Sequence, residues 1–394
     1  MFKIIIKEIK SAYKDMNKPL LICTVVLFIF GLANILTASS REAVVENGAT
    51  MTYYFNKQLF VIICSFIVAN VIYIIPTKFY YKLAFFAYIL FNILILYLIL
   101  FGTPLHGAKN WLIIPGTGFS FQPSEMLKII VIICLSLMFE KKYRTLKEGE
   151  TKQKMKVYIY ILLCIMIPVA LIFLQKDFGT MLVLMIIFFN LFISSPIIVK
   201  DKFKIMGYGL CILAVGVLGL YLIRGYVLTN AQKARFQGFF KPCNTYETGG
   251  YQVCNCFIAI NSGGLFGVGP GKSTQKYSFI PEPHTDSVFA IFAEEYGVFG
   301  ATVLFMFYIS VLKQIINIST NASTIRGRYI ALGVASYIFL HIFINLGGIF
   351  GIIPLTGIPL PFLSYGGTYA LTLIIALAVV QRINIETKRS KLTI

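Results

Sequence analysis

Charge is what this sequence most lacks. Only 13% of its 394 residues are charged, about half the roughly 25% of a soluble domain, so the chain cannot clothe a surface for water. Carboxylates are the scarcer sign, with 16 Asp and Glu against 35 Lys and Arg. There is one tryptophan and three histidines. His284 has acidic neighbours but not the ligand spacing of a zinc site, and no metal-ligand set is assigned. The GxxxxGK[ST] order of a P-loop is missing, and no internal repeat suggests a transporter built from two related halves. Of the eight cysteines, Cys23, Cys64, Cys134, Cys164 and Cys211 fall in apolar runs and read as small hydrophobes. Cys243, Cys254 and Cys256 lie in a polar segment, where one disulfide leaves one thiol over.

What the chain has is apolar length. Hydrophobic residues make up 58% of it, with a mean hydropathy of +0.80, so bilayer is its natural solvent. A spanning helix needs about 20 mostly apolar residues. Such runs begin near Pro19, Gln58, Leu83, Ser124, Val157, Phe178, Phe203, Val288, Tyr329 and Leu363, which predicts an all-α integral membrane protein of about ten helices. Residues 1–394 form a single polytopic domain on this reading. Residues 1–18 alternate lysines with Phe2, Ile4, Ile5, Ile6 and Ile9, the pattern of an amphipathic helix lying on the membrane. The first apolar run reads as a retained span rather than a cleaved signal.

Most of the lysines and arginines fall on the loops that share a side with both termini, including residues 140–156 and the tail at 383–394. Both termini are therefore expected in the cytoplasm. The net charge of +19 is then topogenic, and nucleic acid is excluded as a partner. A long extracytoplasmic loop, residues 225–287, separates spans seven and eight. A loop of that size is seldom mere connection.

Four aspartates occur. Asp15 and Asp201 lie among cytoplasmic lysines, while Asp177 and Asp286 stand on the outer side, each at the mouth of an apolar helix. An acid there is a functional candidate, although Asp286 also suits a helix cap. Before it come the glycine-rich stretch 263–273, with Lys272 and Lys276 close by, and Pro281-Glu282-Pro283-His284-Thr285. Glycines let backbone amides approach an anion; a flexible turn is the alternative. A second cluster holds Lys109, Asn110 and Trp111, then Phe121-Gln122-Pro123-Ser124-Glu125 and Lys128. Glu125 and Lys128 are spaced to pair along one helix face, and are expected on a polar cavity wall rather than in lipid. Trp111 also fits an interfacial anchor. His341, in an apolar helix, reads as a packed, hydrogen-bonded histidine. A third cluster, from Asn345 to Thr368 and including Ser364, carries prolines and glycines that break helices at membrane depth. It fits either an unwound segment beside a groove or a tight turn between spans.

Together these motifs resemble the SEDS family of shape, elongation, division and sporulation proteins, typified by RodA, FtsW and SpoVE. The resemblance runs in order through residues 107–112, 121–125, 175–180, Arg235, Phe239, Pro242, Gly250-Tyr251-Gln252, 261–271, 281–286, Glu294-Glu295-Tyr296-Gly297 and 354–367. Ser273-Thr274-Gln275-Lys276 is closer to the FtsW and SpoVE branch. The resemblance implies a bacterial cell-membrane glycosyltransferase that polymerises lipid II, with a class B penicillin-binding protein as partner. It implies Asp286 as the essential aspartate and Trp111 as an important tryptophan. Asp286 is then the general base, with Arg235, Lys109, Lys272, Lys276 or a divalent cation (Mg or Mn) assisting the leaving diphosphate. Glu125, Lys128, Asp177, His284 and Ser364 complete the expected substrate contacts. Lys176 stands where the family has proline, Asn110 where arginine is common, and Ser287 where phenylalanine follows the aspartate. A lipid II flippase and a non-catalytic scaffold remain the rival readings.

Overall fold

The computed structural model describes residues 2–45, 48–104, 108–114, 119–225, 239, 242–244, 250–277 and 279–392. It is built almost wholly of helices: α1 (Phe2–Asp15), α2 (Lys18–Ala38), α3 (Ser40–Val45), α4 (Tyr53–Ile74), α5 (Tyr80–Phe101), α6 (Pro123–Lys141), α7 (Tyr143–Glu148), α8 (Thr151–Leu174), α9 (Phe178–Ser194) and α10 (Val199–Arg224). These are followed by α11 (Tyr251–Gly263), α12 (Val288–Asn321), α13 (Ile325–Ile349) and α14 (Gly367–Leu392). A short antiparallel hairpin, β1 (Leu112–Ile114) and β2 (Phe119–Phe121), joins α5 to α6.

Among the described residues, α2, α4, α5, α8, α10, α12, α13 and α14 are each long and apolar enough to cross a bilayer. The two remaining expected spans are also helices. α9 is shorter, at 17 residues, and α6 carries Glu125 and Lys128 within its length. All ten apolar runs thus became helices, with ends displaced by a few residues where local capping overrides hydropathy. Asn17 accepts the amide of Leu20 at 2.9 Å to start α2, and Thr324 accepts that of Gly327 at 3.1 Å to start α13. Each satisfies an amide that the first turn leaves without a helical acceptor.

The helices separate into an inner and an outer set. α13 and α14 are lined with buried residues, packed against α6, α12 and α4. On α4 and α5, by contrast, Ile63, Ile67, Phe85, Phe86 and Leu100 face outward. Exposed large side chains in such number are what a lipid-solvated surface requires. The amphipathic α1 lies against α4 and α14. Asp15 receives Arg389 at 2.8 Å, and its backbone oxygen accepts from Asn384 at 3.0 Å. Both terminal segments therefore meet on one face, as an even number of spans demands.

Two features were not expected. The outer loop contains a helix of its own, α11; the one disulfide its three cysteines allow joins Cys243 to Cys254 and leaves Cys256 free and buried. Span eight is two helices end to end, broken at Gly297, whose φ is 64°.

Candidate active site

The glycine-rich stretch before Asp286 is a packing device. Gly267 and Gly297 bring two backbones together so closely that a Cβ on Gly297 would fall 2.4 Å from the Gly267 nitrogen. Across this contact Val268 donates to the carbonyl of Glu294 at 2.9 Å and Gly269 to that of Glu295 at 3.0 Å. The backbone amides of Thr274 and Gln275 do meet an anion, at 2.9 and 3.3 Å, but it is the protein's own Glu294 carboxylate. Ser273 also donates to Glu294, as does the Thr274 hydroxyl at 2.9 Å. Lys276, expected to serve the substrate, is buried and paired with Glu295 at 3.3 Å, and donates to the Gly271 carbonyl at 2.6 Å. Its charge is committed inside the protein. Lys272 remains exposed on the loop.

This clamp fixes the first half of α12, and Asp286 stands just ahead of it. The half-buried Asp286 side chain accepts from Gln252 of α11 at 3.3 Å and from Thr285 at 3.4 Å. Asn345 of α13 donates to the Asp286 backbone oxygen at 2.7 Å and to that of Ile358 at 2.8 Å. The remaining carboxylate oxygen faces Gly357, where a Cβ would lie 3.8 Å away. The residue at the N-cap of α12 is Ser287, whose side chain makes no capping bond. Ser287, where a phenylalanine was expected, accepts from Gln252 at 2.8 Å. It is part of the polar network rather than a packing substitute.

The second cluster reaches the other side of the same loop. Asp177 caps α9 by accepting from Thr180 at 3.1 Å, and its second oxygen accepts from Asn110 at 2.8 Å and Gln122 at 3.0 Å. Asn110 thus supplies a neutral hydrogen bond where the family's arginine supplies charge. Lys176 has a φ of 66°, a conformation closed to the proline that it replaces. Gln175 holds the Lys109 carbonyl at 2.8 Å, and Trp111 is half-buried just before β1. Gly179 packs against Thr356, with the carbonyl oxygen 3.1 Å from a Cβ placed there. Residues 356–358 therefore separate Asp177 from Asp286, and the aspartate clusters share one wall.

Beneath that wall runs a buried chain. Lys128 donates to Glu125 at 2.8 Å and to Nε2 of His341 at 3.0 Å, while Nδ1 of His341 lies 3.2 Å from the Pro359 carbonyl. Lysine can only donate and a carbonyl can only accept, so His341 carries its proton on Nδ1. Lys128 and Glu125 have side chains 0% and 4% exposed. The pair is enclosed by protein, away from lipid, and supports the loop from below rather than lining an open cavity. Ser364 is likewise internal, accepting from the Leu360 amide at 2.7 Å. Arg235 lies outside the described residues.

His284 is buried against Tyr54 and Tyr365, with ring centroids 4.3 and 5.3 Å away. Its Nδ1 lies 2.9 Å from Glu42. Burial, with Tyr54 and Tyr53 adding to it, raises the Tyr365 hydroxyl above the ordinary tyrosine range. An apolar cleft of about 380 Å³ between α5, α6 and α8, with Lys141 and Lys142 among its lining, holds none of these residues. Sequence reasoning missed Gln252 and Asn345 as individual partners, because an amide has no charge to mark it. It missed Glu42 because nothing local ties residue 42 to residue 284.

The chain matches the family model described as cell cycle protein, FtsW, RodA and SpoVE, over residues 18–389. It is 32% identical to the probable peptidoglycan glycosyltransferase FtsW of Bacillus subtilis (strain 168), over 97% of this chain and 94% of that one. It is 30% identical to the protein of the same description from Hydrogenovibrio crunogenus, over 93% and 91%. In fold it is similar to a chain of a peptidoglycan synthase complex that coordinates polymerization and crosslinking, with a TM-score of 0.72 and 21% identity over 94% and 97% of the two chains. The rod shape determining protein RodA of Thermus thermophilus matches with a TM-score of 0.65 and 20% identity over 94% and 96%.

Proposed function

The chain belongs to the FtsW/RodA/SpoVE family of cell cycle proteins, and from that premise we propose that it is a multi-pass peptidoglycan glycosyltransferase of the bacterial cell membrane, polymerising lipid II with Asp286 as general base. Asp286 takes the proton from the 4-hydroxyl of the acceptor sugar. That oxygen forms a bond to the anomeric carbon of the lipid-linked donor, the bond from that carbon to the diphosphate oxygen breaks, and undecaprenyl diphosphate leaves with inversion. The observation that carries this reading is the placement of Asp286. Its backbone is pinned by Asn345 at 2.7 Å, and its half-buried carboxylate accepts from Gln252 and Thr285 at 3.3 and 3.4 Å. A base needs a fixed position and a carboxylate that is not sealed away from the acceptor hydroxyl.

The leaving diphosphate needs positive charge. With Lys276 paired to Glu295, Lys272 and Lys109 are the described lysines proposed for it, and Arg235 is proposed on the resemblance alone. Asp177 and Trp111 are proposed on the opposite side of residues 356–358. A class B penicillin-binding protein is proposed as the partner that crosslinks the strands.

The test is incubation of the purified protein with lipid II, with and without that partner. Wild type is expected to give long glycan strands. Asp286→Asn is expected to lose about 10²–10⁴ in rate while eluting and melting like wild type. Near-normal strands from that variant would exclude Asp286 as base. Translocation of lipid II in liposomes without polymer would make the protein a flippase instead.

A further inference from the structure

We propose that Glu42, Glu282 and His284 form a divalent-cation site, of the Mn²⁺ or Zn²⁺ class, that ties the segment after α2 to the segment carrying Asp286. One ligand atom from each of the three lies within 4.8 Å of the other two. Glu42 reaches the site from α3, whereas Glu282 and His284 flank Pro283 in the loop before α12. The tertiary fold supplies a grouping that the local sequence around His284 lacks.

The independent mark of a ligand is His284 itself. Its side chain is 2% exposed, and Nδ1 stands 2.9 Å from Glu42 Oε2. Yet Nδ1 has no hydrogen-bond partner among the described residues. The separation suits a hydrogen bond and the orientation does not. A buried ring nitrogen is costly in that state. A cation beside Nδ1 satisfies it, with the Glu42 carboxylate oxygen 2.9 Å away placed to be a second ligand.

The donor set selects the cation. An imidazole with two carboxylates suits borderline metals such as Mn²⁺ and Zn²⁺ better than Mg²⁺ or Ca²⁺, which favour oxygen throughout. Ligand bonds of about 2.1 Å ask the outermost ligand to move by roughly an ångström or less, and Glu282 is an exposed side chain able to do so. The ring is already aimed. Tyr54 and Tyr365 pack on His284, and the Tyr365 amide donates to the His284 carbonyl at 2.8 Å. Such outer contacts orient metal-binding histidines. Three protein ligands leave coordination positions open to water or to a phosphate oxygen.

Cation binding stands apart from the reaction; only its bearing on the position of Asp286, two residues beyond His284, rests on the reading of Asp286 as base. The experiment is titration of the purified full-length protein with Mn²⁺, read by electron paramagnetic resonance without lipid substrate, with Zn²⁺ and Mg²⁺ as competitors. Wild type and the distant control Glu148→Gln are expected to bind one Mn²⁺ per chain, displaced by Zn²⁺ far below the Mg²⁺ concentration needed. Glu42→Gln, Glu282→Gln and His284→Gln are each expected to weaken binding roughly tenfold or more. Glu282 is exposed, so its variant retains the fold even if a buried one does not. No binding by wild type, or equal binding by Glu282→Gln, overturns the site. Retained Mn²⁺ binding in Asp286→Asn upholds the site, whatever that variant does to polymerisation.

Discussion

Asn345 holds the carbonyls of Asp286 and Ile358 with one amide nitrogen, at 2.7 and 2.8 Å, so a single side chain of α13 sets the distance between the proposed base and the loop facing it. Asn345→Ala removes both donors and leaves two carbonyls without them. An unsatisfied buried polar group costs about 1–3 kcal/mol, so a lowered melting temperature is expected in detergent. Asn345→Asp is the sharper variant, because it keeps the volume and removes the donor. Polymerisation of lipid II is expected to fall at least about tenfold in both, since misplacing a base by an ångström has effects of that order or larger. Full activity in Asn345→Asp would mean that Asp286 is positioned by something else.

Gly297 tests the clamp behind the site. Its φ of 64° is costly for any residue with a Cβ, and that Cβ would stand 2.4 Å from the Gly267 nitrogen and 2.6 Å from the Leu265 carbonyl oxygen. Left-handed strain alone is about 1–3 kcal/mol; the backbone collision adds to it. Gly297→Ala is therefore expected to lower thermal stability and polymerisation together, because the helix that moves is the one after Asp286. Gly216→Ala is the control. Nothing stands within 4 Å of a Cβ there, so it is expected to melt and react as wild type does.

How much of this could be read beforehand follows from what each feature depends on. The ten spans depend on apolar runs, which are local, so their number and order were legible. Even α6 was found, although Glu125 and Lys128 lower its hydropathy. The break in α12 was not found, because Gly297 looks like any glycine until the backbone of Gly267 is laid against it. The glycines at 263–273 promised an anion, and the anion was Glu294, some 20 residues further on. Lys276 could be counted as a free cation only while Glu295 was unplaced. Asp286 and Asp177 stood out because acids are rare here. Their partners Gln252, Asn345, Asn110 and Gln122 lay in clusters and motifs already named, but which acid each would serve was not legible, since an uncharged amide does not mark its partner until the chain is folded.

The Lys276–Glu295 pair is buried at 2% and 0% side-chain exposure. Removing one partner of such a pair leaves a charge uncompensated and costs about 3–5 kcal/mol. Lys276→Met is therefore expected to melt well below wild type. Combining it with Glu295→Gln is expected to recover part of the loss, since neither charge then remains. If Lys276 instead serves the substrate, the single variant keeps its melting temperature and loses turnover alone. Thermal unfolding and polymerisation measured on the two variants separate these outcomes.

Cys256 distinguishes the disulfide arrangement from its alternatives. With Cys243 bonded to Cys254, the third loop cysteine is left as a thiol against Ser287 and close to Asp286. Burial first, and the Asp286 charge after it, push that thiol up to about 12, opposed by the hydrogen bond with Ser287. The thiolate is the reactive form. Raising the pH from 7 to 9 in the folded protein, still about three units below that value, leaves Cys256 almost wholly protonated. An ordinary thiol near pKa 8.5 would become mostly thiolate over the same range. Maleimide or iodoacetamide labelling in detergent, followed by peptide mass spectrometry without reduction, is expected to find residues 243 and 254 crosslinked. Cys256 is expected to be unmodified until the protein is denatured. Labelling of Cys256 in the native protein at pH 8, or a crosslink that includes it, would show that this thiol is not enclosed beside Asp286.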